Sequence, residues 1–178
     1  MISIDINDAG IQATLDRVAR AVTDMTPVMQ DIGEEMVVST RERFTAGTSP
    51  DGIAWAPKSA TTMAAYERRG DSIDTRPLFG PSRRLSSEIA WQAGPTGVEW
   101  GSNLIYAAVM QFGAEQGAFG AQMGRTRPSD KRSGSQDYFF PIPWGDIPAR
   151  PFLGVSDEDR NSMVSALEDW LTQAWDGE

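Results

Sequence analysis

The sequence predicts an α+β fold: N-terminal helices and a long C-terminal helix packed on a small antiparallel sheet, with long interaction loops. Three observations carry this. Apolar residues recur at helical spacing near both ends of the chain. Two short alternating segments in the middle are split by the turn signal Gly94-Pro95-Thr96-Gly97. Gly- and Pro-rich stretches punctuate the rest. With 178 residues and a hydrophobic fraction of 40%, one domain spanning 1–178 is expected.

Taken in order, Ile2 to Ile6 alternate apolar and polar and read as a strand. Asp8 is placed to cap a helix whose stripe is Ile11, Leu15, Val18 and Val22. A second helix starts at Thr26, with Pro27 in the first turn where a missing N–H costs nothing. Its stripe is Val28, Met29, Ile32, Met36 and Phe44, and Gly47 ends it. Trp55 and Pro57 bar the following segment from a central strand, and a short helix runs from Ser59 to about Arg69. After a loop and a helical turn at 82–87, Ile89, Trp91, Val98 and Trp100 form a hairpin.

Ser102 or Asn103 should cap a helix carrying Tyr106 to Phe112. The segment 113–136 reads as one flexible, glycine-rich loop with Arg125, Arg127, Lys131 and Arg132 against Glu115 and Asp130. Residues 138–143 suit an edge strand, because Pro141 and Pro143 prevent full pairing. Ser156, followed by Asp157, Glu158 and Asp159, opens the last helix, with Asp159 where a capping box needs it. Met163, Val164, Leu167, Trp170, Leu171 and Ala174 form its apolar face.

The chain contains no cysteine and no histidine. Disulfides and thiolate metal sites are therefore ruled out, and the commonest general base and zinc ligand are missing. A net charge of −9 disfavours generic adhesion to DNA or anionic membranes. No apolar run approaches the ~20 residues of a membrane helix, and the start of the chain lacks a basic leader. The carboxylate clusters Asp157/Asp159 and Glu34/Glu35 are accounted for by capping and by a helix exterior. No catalytic residue, cofactor or metal is expected.

What stands out is a set of ordered strings. Ser49-Pro50-Asp51-Gly52-Ile53-Ala54-Trp55 comes first. Tyr106-Ala107-Ala108-Val109-Met110-Gln111-Phe112-Gly113 follows, and then Ile147-Pro148-Ala149-Arg150-Pro151-Phe152-Leu153-Gly154. Prolines on both sides fix where Arg150 points. It either braces its own subunit or forms an ion pair with a neighbour. Phe152 and Leu153 suit a core, and Phe152 is also a candidate contact. Trp55 closes the core or, beside a loop tipped by Asp51, anchors on a neighbour. Arg125, Arg127, Lys131 and Arg132 belong to a solvated loop, or to one that meets phosphates or the acidic surface of a neighbour.

Together with Phe44, Leu78, the segment Arg84 to Ile89 and Val98-Glu99-Trp100-Gly101, these strings resemble the phage virion morphogenesis family from about Phe44 to about Trp170. That family includes tail-completion proteins of contractile-tailed and Mu-like phages, with a more distant likeness to neck proteins of long-tailed phages. Two departures stand out. A basic Lys-x-x-Leu-Leu…Gly-Arg-Leu segment has become Arg76 to Leu85, and Met110 stands where a histidine is frequent. The resemblance implies a structural, non-enzymatic virion protein at the head–tail junction, assembled in the host cytoplasm. It would form a ring with copies of itself, between connector or stopper proteins and the tail terminator. DNA would pass through the lumen without specific binding; the acidic face of the last helix is either a solvated helix face or, in such a ring, the lining of that lumen. The alternatives are a tail terminator capping the tube and, further off, a virion-associated carboxylate hydrolase.

Overall fold

The computed structural model describes residues 8–125 and 137–177. The strand expected at Ile2 to Ile6 lies outside them, as do Arg127, Lys131, Arg132 and the side chain of Arg125. Within them the fold is α+β, with a long C-terminal helix and two small antiparallel sheets.

Helix α2, Thr26–Ala46, is the spine. Pro27 sits in its first turn, and Gly47 ends it in the left-handed conformation at φ 75°, returning its N–H to the Arg43 carbonyl. Any residue with a Cβ would strain that position. The spine serves two cores. Val28, Met29, Ile32 and Met36 pack with Trp100, Met163, Leu167 and Trp170. Val37 and Phe44 pack with Trp55, Leu78, Phe79, Leu85, Ile89 and Phe152. Phe44 and Phe152 are fully buried, with ring centroids 5.3 Å apart.

The first sheet is the hairpin of β1, Ile89–Gly94, and β2, Gly97–Ser102, with Trp91 directly opposite Trp100. It lies against α2, and Gly33 sets the approach. A Cβ at Gly33 would stand 2.8 Å from Cδ2 of Trp91. A glycine inside a helix costs about 0.5–1 kcal/mol relative to alanine. Here it is what admits the indole against the helix backbone.

Helix α6, Asp157–Asp176, opens with a complete capping box: the Ser156 hydroxyl accepts from the Asp159 N–H, and the Asp159 carboxylate accepts from the Ser156 N–H. It packs on α2 and on α1, Ala9–Thr23. Arg17 of α1 donates to the Ala174 and Trp175 carbonyls at the end of α6, and Trp170 Nε1 donates to the Ala21 carbonyl. No helix among the described residues is long and apolar enough to cross a membrane.

Several expectations change. Asp8 stands at the cap of α1, but its carboxylate accepts from the Gln12 side chain instead of a backbone N–H. The helix is amphipathic as its spacing implies, yet Ile11, Leu15 and Val22 are all exposed, because α6 meets α1 through other residues. Helix α3, Ala60–Arg69, has the expected Ser59 cap and stops at Gly70, and α4 is the turn Arg84–Ser87. Helix α5, Ala107–Phe112, begins later than expected. Its cap is Tyr106, while the Ser102 hydroxyl accepts from the Leu104 N–H in the preceding turn.

The largest change concerns the segment read as one loop. Ala121–Arg125 is a strand, β3, paired antiparallel with β4, Asp137–Pro141. Gly124 is the reason it can pair there: a Cβ on it would come within 2.9 Å of the Tyr138 and Phe140 rings. The glycine that suggested disorder provides room for two aromatic side chains.

Gly33→Ala tests the spine. Alanine is the better helix former, so an exposed site would gain up to about 1 kcal/mol. Against Trp91 the substitution should instead destabilise by about 1–3 kcal/mol, read as a lower urea midpoint.

Candidate functional site

The three strings singled out in the sequence meet at one corner. The Arg150 N–H donates to the Met110 carbonyl at 2.8 Å. Gln111 then spans the gap: its Oε1 accepts from the Phe152 and Leu153 N–H groups at 2.9 and 3.0 Å, and its Nε2 donates to the Leu153 carbonyl at 2.9 Å. One side-chain amide thus replaces a strand partner for backbone that its flanking prolines keep out of a ladder. Gly113, at φ 76°, completes the junction. A Cβ there would lie 2.7 Å from the Ile147 carbonyl oxygen, whose neighbour in pairing is Ala114.

The Pro50–Trp55 string closes the corner from the other side. Trp55 Nε1 donates to the Pro151 carbonyl at 2.9 Å, and Pro50 packs on Gly154, where a Cβ would come within 2.7 Å of its Cγ. The Arg150 guanidinium donates to the Ala56 carbonyl at 2.7 Å and the Pro57 carbonyl at 2.9 Å. Its burial pulls its pKa down from the ordinary arginine range. Arg150, Phe152 and Trp55 are all buried, so the fork of Arg150 is spent on carbonyls of its own subunit and is not presented as an ion-pair partner. Asp51 alone of the described candidates is exposed, at the loop tip beside Ile53.

Residues that the sequence reading did not single out complete the site. Arg43 leaves α2 with 7% exposure, donates to the Gly154 carbonyl at 2.8 Å and forms a buried ion pair with Asp159 of α6. The Ser39 hydroxyl donates to the same carboxylate at 2.5 Å. Burial of Asp159 opposes its ionisation. Hydrogen bonds from Ser39 and Ser156, together with Arg43, outweigh that and hold its carboxyl below the usual value. The signal available in the sequence was a charged residue on the buried stripe of α2, one position before Phe44.

A second set of ties orders the segment that departs from the family pattern. Lys58 Nζ donates to the Asp74 and Phe79 carbonyls, and burial lowers its pKa. Arg76 chelates the Asp74 carboxylate and covers the Phe79 ring with its guanidinium 3.9 Å from the centroid. Those bonds hold the Asp74 carboxyl far below its ordinary range. Leu78, Phe79 and Leu85 of this segment are core residues, packed in the same cluster as Phe44 and Phe152.

The outside of the molecule contrasts with this full interior. Between α2 and α6 lies an open groove lined by Val38, Ala46 and Pro50, by the carboxylates of Glu35, Glu42 and Glu158, and by the hydroxyl side chains of Ser39, Thr48, Ser49 and Ser162. Large apolar side chains stand in solvent on α5 and the second hairpin, Ile105, Phe112, Phe119, Met123, Phe139 and Trp144 among them. Among the described residues no cluster of His, Cys, Asp or Glu could hold a metal ion. Chemically the corner is a brace, made of hydrogen bonds to peptide groups, and Asp159 is committed to it.

Two substitutions probe the brace. Arg150→Ala strips charged donors from two carbonyls and should cost about 3 kcal/mol of monomer stability, measured by urea unfolding. Asp159→Asn leaves Arg43 buried without its counter-charge and should cost about 3 kcal/mol at neutral pH. Because the folded carboxyl titrates below its unfolded value near ~3.9, its contribution is complete above that pH and is lost as pH falls through the folded value. Below about pH 4 the wild type should therefore lose stability more steeply than Asp159→Asn, whose unfolding lacks this component.

Comparison with known proteins agrees with the resemblance that the strings carry. A sequence profile of the phage virion morphogenesis family matches residues 6–172. The Mu-like prophage FluMu G protein 2 of Haemophilus influenzae is 26% identical over 172 residues, covering 96% of each chain. No solved structure matches. A match over nearly the whole chain places this protein in the phage virion morphogenesis family.

Proposed function

We propose that this chain is a tail-completion or neck subunit, a structural protein that rings the axis at the head–tail junction and helps join tail to head. The observation that carries this reading is the division between a braced interior and unfilled apolar projections. Phe112 is 78% exposed, Phe139 74% and Trp144 66%. A monomer rarely leaves several such side chains in water unless they meet a partner. Membership of a morphogenesis family supports the reading that this partner is another virion component.

Electrostatics support a ring around DNA. The last helix carries Asp157, Glu158, Glu168, Asp169 and Asp176, all exposed, against Arg160. Such a face turned to the lumen repels phosphate, and DNA slides past it without adhering. The hydrolase alternative has lost one of its carboxylates, since Asp159 is bound by Arg43, Ser39 and Ser156 inside the brace.

Electron microscopy of particles made without the gene product tests the assignment. Full heads and complete but unjoined tails are the expected outcome. Tails of uncontrolled length would instead favour a terminator, and joined, infectious particles would end the reading.

A further inference from the structure

We propose that the basic edge formed by α3 and the segment after it, as far as Arg84, is a docking surface whose occupant is the acidic α2–α6 groove of a second copy. This rests on the ring reading and names the two surfaces that make the ring. Charge is divided unevenly along the chain. Residues 58–84 hold six cations against three carboxylates, in a protein whose net charge is −9. Helix α3 buries none of its residues and makes no extensive contact with any other element among the described residues. It is an outlying helix that ends in Arg68 and Arg69, both exposed. Arg69 lies over the Tyr66 ring, 5.2 Å from its centroid. Tyr66, Lys58, Arg83, Arg84 and Tyr106 line a cavity of about 270 Å³, and no described carboxylate is among its walls.

The edge suits a protein partner better than DNA. Asp71, Asp74 and Glu88 each hold one of its arginines, at 2.8, 2.6 and 2.6 Å. A surface so interleaved with carboxylates is far less positive than a DNA-binding face. It matches a protein interface, where charges of both signs fix the register. Arg68 has no ionic partner among the described residues, and Arg83 meets Asp74 at 3.5 Å, so both are left for a neighbour.

The groove supplies the complement. Glu35, Glu42, Glu158 and Asp169 line two hollows that share Glu35, Glu158 and Ser162 and so run into one another. Arg43, the cation among those walls, is already spent on Asp159. None of the four carboxylates has an ion-pair partner among the described residues. A concave surface of one sign focuses its field on an approaching cation. Each surface also carries an exposed aliphatic side chain, Ile73 on the edge and Val38 in the groove. The contact thus has an apolar centre inside a charged rim, the usual anatomy of a specific interface. It takes up Glu158 and Asp169 and leaves Asp157, Glu168 and Asp176 to face the lumen. Edge and groove are different parts of the chain, so the contact is head-to-tail and closes into a ring if its rotation allows.

Charge exchange tests this, read by sedimentation equilibrium of the full chain up to ~1 mM. Arg68→Glu with Arg69→Glu should weaken self-association at least tenfold, as should Glu35→Lys with Asp169→Lys. All four residues are exposed, so each pair should leave the thermal melt nearly unchanged. All four substitutions in one chain should restore association to within about threefold, because the same contact re-forms with its signs exchanged. Loss without restoration would mean that edge and groove face different partners, and the proposal falls. Association that neither pair weakens overturns it and leaves the ring reading standing, whereas a strictly monomeric chain ends both. Ile73→Ser keeps every charge and gives an independent readout: it should weaken assembly too, and undiminished association rejects the edge. A duplex DNA probe decides the rival occupant. Retention of the duplex at ~0.1 M salt, abolished by Arg68→Glu with Arg69→Glu, would assign the edge to phosphate and overturn the proposal.

Discussion

The structure depends on one awkward stretch of backbone, from Pro148 to Gly154. Its prolines exclude it from a helix or a central strand, yet Phe152 must reach the middle of the core, against Phe44. Peptide groups that enter a core without a ladder need other partners. Gln111, Trp55 and Arg43 supply them from three separate parts of the chain. Arg150 works in the opposite sense, reaching from the stretch itself to the Ala56 and Pro57 carbonyls. Without this set of bonds, burying Phe152 would strand several polar groups in an apolar interior.

The same bonds couple elements that have no other reason to be rigid relative to one another. The Arg43–Asp159 pair fastens the C-terminal end of α2 to the N-terminal end of α6, across 116 residues of sequence. An ion pair at such depth is a poor source of net stability, because desolvation offsets most of the attraction. Its geometric demand is strict, however. Asp159 must complete its capping box and meet both Ser39 and Arg43 at once. That fixes where the groove walls begin. A subunit of the proposed ring would need such fixed angles more than additional stability.

What the sequence revealed follows from locality. Capping of α6, the Pro27 start and Gly47 stop of α2, and the Trp91–Trp100 hairpin rest on interactions within a few residues, and all were legible. The strings at 49–55, 106–113 and 147–154 were legible as important, but their convergence was not. Nothing in a linear pattern says that Gln111 reads the N–H groups of Phe152 and Leu153. Arg150, Phe152 and Trp55 were drawn toward an interface because proline and aromatic residues mark interfaces and cores alike. Gly124 misled in the other direction, since the space it leaves for Tyr138 and Phe140 looks, in sequence, like a lack of structure.

The exposed stripe of α1 extends this argument. Ile11, Leu15 and Val22 have the spacing of a buried helix face, and the helix itself is sound, but among the described residues that face has nothing to pack on. Periodicity reports that a face is apolar and leaves open where its partner resides. In a chain that folds alone the partner must be internal, so an unfilled stripe contradicts the fold. In a chain that completes itself in an assembly the same stripe is consistent, provided the core that holds the monomer together is independent of it. That condition is met here: the two clusters along α2 draw no residue from α1. The monomer can therefore fold first and leave its outer apolar faces for the contacts that follow.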